Sequence, residues 1–210
     1  MRSTTCAEAG AVPRQALLLT CGHVETAGAA LSRHATPDRA ILALDQYALD
    51  AAPLEGCAGL LIGMHSDQRF LAAHAGRLER YLRQGGSMVV NGHVAYPFLP
   101  GASSFQPVPG GHPRDLEVHR ERAHPIWAGV SAHDLTFRRG VAGFYGRGWH
   151  RPPEGALVIH SLGQERWPLD IIWRVGAGRV LLHGGNDLWQ FGDGIAPRLL
   201  AWLFDESGAL

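Results

Sequence analysis

Apolar positions in this chain fall in short unbroken runs, each ending in a polar loop, and the stretch from Gly59 to Val94 shows the pattern most clearly. An apolar run from Gly59 to Gly63 stops at Met64-His65-Ser66-Asp67. Leu71, Ala75, Leu78 and Leu82 then recur at helical spacing, with Phe70 and Tyr81 beside them, and Gly85-Gly86 ends that helix. A second apolar run, Ser87 to Val90, stops at Asn91-Gly92-His93. Strand, helix, strand without a hairpin turn predicts a βαβ unit of a parallel sheet. The strand ends at His65 and His93 then emerge on the same edge, where ligands of such sheets bind.

The rest of the chain extends this unit. Gln15 to Thr20 predicts a buried first strand ending at Cys21-Gly22-His23; Thr26 to Arg33 predicts a helix and Ala40 to Leu44 a second strand. After Val94 the periodicity breaks: Tyr96 to Gly101 and Pro107 to Pro113 are too rich in Pro and Gly for regular structure. Asp115 to Arg122 reads as a short exposed strand, and Asp134 to Tyr145 is ambiguous between strand and loop. Ala156 to His160 predicts a strand and Gly163 to Trp167 a turn. Leu169 to Val175 and Arg179 to His183 read as strands paired across Gly176-Ala177-Gly178, and a helix from about Gly194 to Asp205 closes the chain. The fold class expected is α/β: a parallel, flavodoxin-like sheet flanked by helices, with an irregular β-rich insertion at about 95–155. Residues 1–14 are expected to be a flexible arm and 15–210 a single domain.

Composition narrows the chemistry. With 46% hydrophobic and 18% charged residues and a formal net charge of zero, the chain lacks the basic balance of a nucleic-acid binder. All 19 basic residues are Arg, which excludes a Schiff-base Lys and a P-loop Lys. Cys6, Cys21 and Cys57 show no CxxC spacing and suit reduced thiols in a cytoplasm. No apolar run reaches membrane-spanning length, so no membrane partner is expected. No metal-ligand motif of the HExxH or Cys/His-cluster kind is present, and no cofactor is named by any motif.

The segments GLLIG, YLRQGGSMVVNGHVAY, HPIWAGV and GAGRVLLHGGNDLW resemble those of class I glutamine amidotransferase-like proteins, particularly the ThuA-like branch. The resemblance spans roughly Gln15 to Phe204 and implies a flavodoxin-like α/β sandwich, with homodimers common. It departs where the family keeps its nucleophile. The amidotransferase turn is Gly-x-Cys-x-Gly, whereas this chain has Asn91-Gly92-His93-Val94-Ala95, and the loop His183-Gly184-Gly185-Asn186-Asp187 lacks the family's later His-Pro-Glu. Thiolate attack on glutamine needs a Cys within reach of a base. Amidotransferase and glutaminase chemistry is therefore not expected.

The candidate site gathers polar groups at the strand ends: His65, Ser66 and Asp67; Asn91, Gly92 and His93; and His183, Asn186 and Asp187, with Cys21 and His23 one strand over. Arg138 and Arg139, in a glycine- and aromatic-rich stretch, could fork onto a carboxylate or phosphate. Competing readings are structural: Ser66-Asp67 as a helix N-cap, Asn186-Asp187 as a turn, the arginines as loop ion pairs. Trp149 is expected to be exposed. Two functions follow. One is a non-catalytic module whose polar pocket binds a small polar molecule or a protein partner. The other is a hydrolase, isomerase or lyase on a sugar derivative or amide, with His93 as general base and Asp67 or Asp187 orienting it.

Overall fold

A computed structural model describes residues 14–22, 31–110, 112–191, 194–205 and 210, apart from the side chain of Arg139. Ten strands are described: β1 (Arg14–Thr20), β2 (Arg39–Asp45), β3 (Cys57–Ile62), β4 (Ser87–Asn91), β5 (Gln106–Pro107), β6 (Val118–Arg120), β7 (Gly148–Trp149), β8 (Leu157–Leu162), β9 (Trp167–Val175) and β10 (Gly178–His183). The described α-helices are α1 (Gln68–Ala73), α2 (Ala75–Arg83), α3 (Ala132–Thr136) and α4 (Ile195–Phe204).

Eight strands form one sheet in the order β2-β1-β3-β4-β10-β9-β8-β6. The first five run parallel and the last three are joined antiparallel, so the chain is a mixed, largely parallel α/β protein. β5 and β7 form a separate two-stranded ribbon. Alternation along each central strand divides the core. Leu61, Val89 and Leu181 face Leu199, Leu200 and Leu203 of α4. Leu60, Ile62, Val90 and Leu182 face Leu71, Leu78 and Leu82 of α1 and α2. Each such fully buried side chain contributes about 1.5–3 kcal/mol relative to exposure. Burial on both faces explains why β3 and β4 read as unbroken apolar runs.

Three local expectations are corrected. The helix after β3 is divided at His74, whose Nδ1 lies 2.8 Å from the Phe70 carbonyl oxygen and whose backbone, at φ −105° and ψ 12°, leaves the helical path. Residues 95–155 hold more turn and short helix than strand. Residues 134–145 include the end of α3 and a 3-10 turn over Arg138–Gly140, because Ser131 Oγ accepts the Asp134 N–H and caps a helix there. Trp149 is half-buried, since β7 pairs it with Gln106. Most of the helix expected over Thr26 to Arg33 lies outside the described residues, as do Cys6, His23 and residues 1–13 of the arm.

Candidate functional site

The order of the sheet reverses direction between β1 and β3. The chain goes from β1 outward to β2, then crosses back to β3 on the other side of β1. At such a switch point the loops leaving the two strands diverge and open a crevice at their carboxyl ends. A cavity of about 250 Å³ occupies this place. Thr20 and Cys21 line it from the end of β1, His65 and Ser66 from the loop after β3, and Asp187 and Gln190 from the segment after β10.

Asp187 is the organising group. It is 6% exposed; its Oδ1 accepts the Met64 N–H at 2.8 Å and its Oδ2 accepts the Gln190 side-chain amide at 3.2 Å. Burial pushes its carboxyl pKa up, opposed by the Met64 hydrogen bond and by the charges of His65 and His183. Each oxygen keeps a further lone pair for a ligand donor. Ser66 Oγ donates to the Gly63 carbonyl at 2.9 Å, and Cys21 Sγ lies 3.6 Å from the Tyr47 hydroxyl. His65 is exposed at the rim.

The other expected site residues are held elsewhere. Asp67 caps α1, accepting the backbone N–H groups of Arg69 at 3.0 Å and Phe70 at 3.1 Å, and it accepts the Tyr47 hydroxyl. Those bonds, led by that from Phe70, lower its pKa against burial. Asn91 is a buried strut: its Nδ2 donates to the Ile62 carbonyl and its Oδ1 accepts the Leu188 N–H. Gly92 has φ +100°, and a Cβ there would stand 2.7 Å from Met64 Cβ and 2.8 Å from Met64 Cα. This position therefore requires glycine twice over, for its backbone and for its clearance.

His93 is exposed and its ring stacks on Phe105 with centroids 3.8 Å apart. Among the described residues no carboxylate contacts that ring, so neither Asp67 nor Asp187 orients it as a base. Desolvation where the ring packs on Phe105, then the charge of His183, lowers its pKa. Asn186 donates to the Phe144 carbonyl, and the Arg138 guanidinium lies over the Phe191 ring at 5.1 Å. The structure thus gathers His65, Ser66 and Asp187 in one cavity, and Asn91, His93, His183, Asn186 and Arg138 do not line it.

A second polar constellation escaped the sequence reading. Asp170 of β9 stands directly opposite His183 of β10 and His160 of β8, and all three are fully buried. Asp170 Oδ1 lies 2.6 Å from His183 Nδ1, while Oδ2 lies 2.7 Å from His160 Nδ1 and accepts the Tyr145 hydroxyl at 2.8 Å. Tyr145 in turn accepts the Trp127 indole N–H. Arg120 Nε lies 3.2 Å from His160 Nε2 and can only donate, which puts the His160 proton on Nδ1. Burial alone would raise the Asp170 pKa, but the His183 charge and the histidine hydrogen bonds outweigh it and hold it low. The available signal was a carboxylate inside the apolar run Leu169-Asp170-Ile171-Ile172-Trp173, which burial tolerates only when paired.

Among the described residues no group of three or more His, Cys, Asp or Glu is placed to hold a metal ion, and no helix is long and apolar enough to cross a membrane. No protein-family model matches the chain, and no curated protein matches it. Solved structures do resemble it. The cytoplasmic protein STM3548 from Salmonella typhimurium superposes with a TM-score of 0.58 at 8% identity, over 90% of this chain and 97% of that one. The cytoplasmic protein STM1381 from Salmonella typhimurium LT2 does so with a TM-score of 0.57 at 11% identity, over 90% and 93%. A beta-galactosidase from Rahnella sp. R3 matches with a TM-score of 0.52 at 12% identity, over 90% of this chain but only 31% of the enzyme. At these identities the likeness concerns the fold alone.

Proposed function

We propose that the protein is a flavodoxin-like, glutamine-amidotransferase-like domain of the ThuA-like kind, cytoplasmic and without amidotransferase chemistry, that binds a small polar molecule in the crevice between β1 and β3. The observation that carries this reading is the position of the cavity: it lies at the reversal of strand order, with the Asp187 carboxylate buried in its wall. Its volume falls just below the roughly 300–1,000 Å³ of drug-sized ligand sites, which favours a compact ligand. A carboxylate acceptor facing an imidazole and a hydroxyl suits a polyol, sugar derivative or amide that offers several O–H or N–H donors.

A hydrolase, isomerase or lyase built on His93 has less support, because that ring has a stacking partner and no orienting carboxylate. A thermal-shift screen of sugars, polyols, amides and nucleotides tests the binding reading, with His65→Ala and Asp187→Asn alongside wild type. A saturable rise in Tm that is lost in Asp187→Asn is the expected result. No shift with any member of the panel would sink it. Turnover of a sugar, amide or ester that His93→Ala abolishes would replace it with the enzymatic reading.

A further inference from the structure

The polar side chains around the crevice between β1 and β3 are mostly left with acceptors, because their protons are already spent. The Thr20 hydroxyl donates to the Leu44 carbonyl at 3.1 Å, and the Ser66 hydroxyl to the Gly63 carbonyl at 2.9 Å. Tyr47 gives its single hydroxyl proton to Asp67 Oδ2 at 3.1 Å, so its 3.6 Å contact with Cys21 uses the thiol proton. Thr20, Cys21 and Ser66 therefore have only lone pairs left to offer. The Trp189 indole also lines the cavity, but its N–H is buried from solvent without a partner and adds no donor to the open space. His65 and Gln190, both exposed at the rim, can donate or accept.

Asp187 is the one carboxylate in this lining, which holds no arginine. Both of its oxygens accept donors, Oδ1 from the Met64 N–H and Oδ2 from the Gln190 amide, and such bonds favour the ionised form. Among the described residues no arginine or histidine forms an ion pair with it. His65 and His183 act on it from beyond ion-pair distance, and the His183 Nδ1 is committed to Asp170. A carboxylate buried this deeply is ordinarily paired with a cation.

Gly63, at the end of β3, leaves room for one. Beyond its chain neighbours, the atoms nearest to a Cβ at Gly63 would be those of the Asp187 carboxylate, with Oδ1 at 3.3 Å and Oδ2 at 3.5 Å. A methyl-sized space therefore touches both oxygens.

We infer that the crevice takes a compact primary amine, such as an amino alcohol or amino sugar, and holds it through its ammonium group on Asp187; this rests on the crevice being the protein's binding site. An ammonium brings three donors and no acceptor, the complement of a lining whose hydroxyls and thiol have kept only lone pairs. Hydrogen bonds to an ionised partner are roughly twice as strong as neutral ones, so the charge decides which ligand is held. A neutral polyol leaves Asp187 without a counter-charge, and a carboxylate or phosphate is repelled by it.

Isothermal titration calorimetry at neutral pH on the whole chain tests this with amines set beside alcohols of matching shape: glucosamine with glucose, ethanolamine with ethylene glycol, putrescine with 1,4-butanediol. At least one amine should bind wild type about tenfold or more tightly than its alcohol. Asp187→Asn, which keeps the shape and an acceptor oxygen, should bring the two to equal affinity. Gly63→Ala keeps the carboxylate, and the backbone at that position has no left-handed φ to strain. It should weaken the amine about tenfold by filling the space beside both oxygens. Circular dichroism and cooperative melting show that each variant is folded. Equal binding of amine and alcohol by wild type, an amine preference that survives in Asp187→Asn, or full amine affinity in Gly63→Ala would overturn the inference and leave the crevice as a site for neutral polar molecules. Binding of neither kind would overturn both readings.

Discussion

Asp170 Oδ1 and His183 Nδ1 lie 2.6 Å apart with both side chains fully buried, and they are direct cross-strand partners on β9 and β10. His160 flanks the same aspartate from β8, so a His-Asp-His row crosses three antiparallel strands on one face. Side chains opposite one another on neighbouring strands stand about 4.5–5.5 Å apart at Cβ, close enough for short rings to reach a central carboxylate. The row locks the antiparallel side of the sheet to the parallel side, because β10 belongs to both.

Replacing the central carboxylate should therefore weaken the whole sheet. Asp170→Asn leaves one acceptor oxygen and turns an amide N–H toward groups that donate. Removing one partner of a buried charged pair costs about 3–5 kcal/mol. The urea midpoint should fall accordingly, while ligand-induced shifts at the β1–β3 crevice keep their sign. A loss under about 1 kcal/mol would mean the network is slack.

The pH dependence of stability has a definite sign. Burial lowers the His124 pKa to about 4, and burial also lowers that of His150. The unfolded chain takes up these protons first, near the ordinary histidine value of about 6.5. Stability from these groups is complete above that value and is lost as pH falls through the window toward 4. Asp170, lowered, removes further stability only below about 3.9, and Asp187, raised by burial, acts in the opposite sense. His124 Nδ1 caps the 3-10 turn at Pro125–Trp127 by accepting the Ile126 N–H. His124→Asn keeps a capping acceptor without the titration, so urea melts at neutral and mildly acidic pH should lie closer together in that variant than in wild type.

Arg179 is 1% exposed, and its guanidinium ends the last helix. Nε donates to Ser87 Oγ and Nη2 to the carbonyls of Trp202 and Asp205, with the indole of Trp202 4.3 Å from the guanidinium carbon. Lysine brings the charge but not the planar fork. Arg179→Lys should cost about 3 kcal/mol from lost charge-assisted bonds, and hydrogen exchange should rise first at the end of α4. Uniform exchange across the chain would argue against this role.

Gly92→Ala should reach the candidate site without touching it. The added Cβ would press on Met64, whose N–H holds Asp187, and the positive φ adds about 1–3 kcal/mol of strain. The variant is expected to unfold at lower urea and to lose the ligand-induced rise in Tm. Retention of full affinity would separate the β4 turn from the crevice.

Much of the parallel half was legible in the residues. Gly59 to Gly63 and Ser87 to Val90 read as strands because burial on both faces leaves no polar position to interrupt them, and Gln15 to Thr20 and Ala40 to Leu44 read so as short apolar runs, although the second lies at the sheet edge with Leu42 exposed. The hairpin joining β9 and β10 and the last helix were legible from turn glycines and an apolar stripe. Asp67 carried its capping role in its residue type, and the structure shows it accepting the Arg69 and Phe70 N–H groups. What local pattern could not carry was distance along the chain. Thr20, His65 and Asp187 meet only because β1, β3 and β10 run parallel and end together. The row of His160, Asp170 and His183 exists only through the register of three strands. Residue type and periodicity set which segments become strands and helices, since those depend on near neighbours. Which polar groups converge depended on pairings between segments remote in the chain, and these are settled by the packing of the whole core.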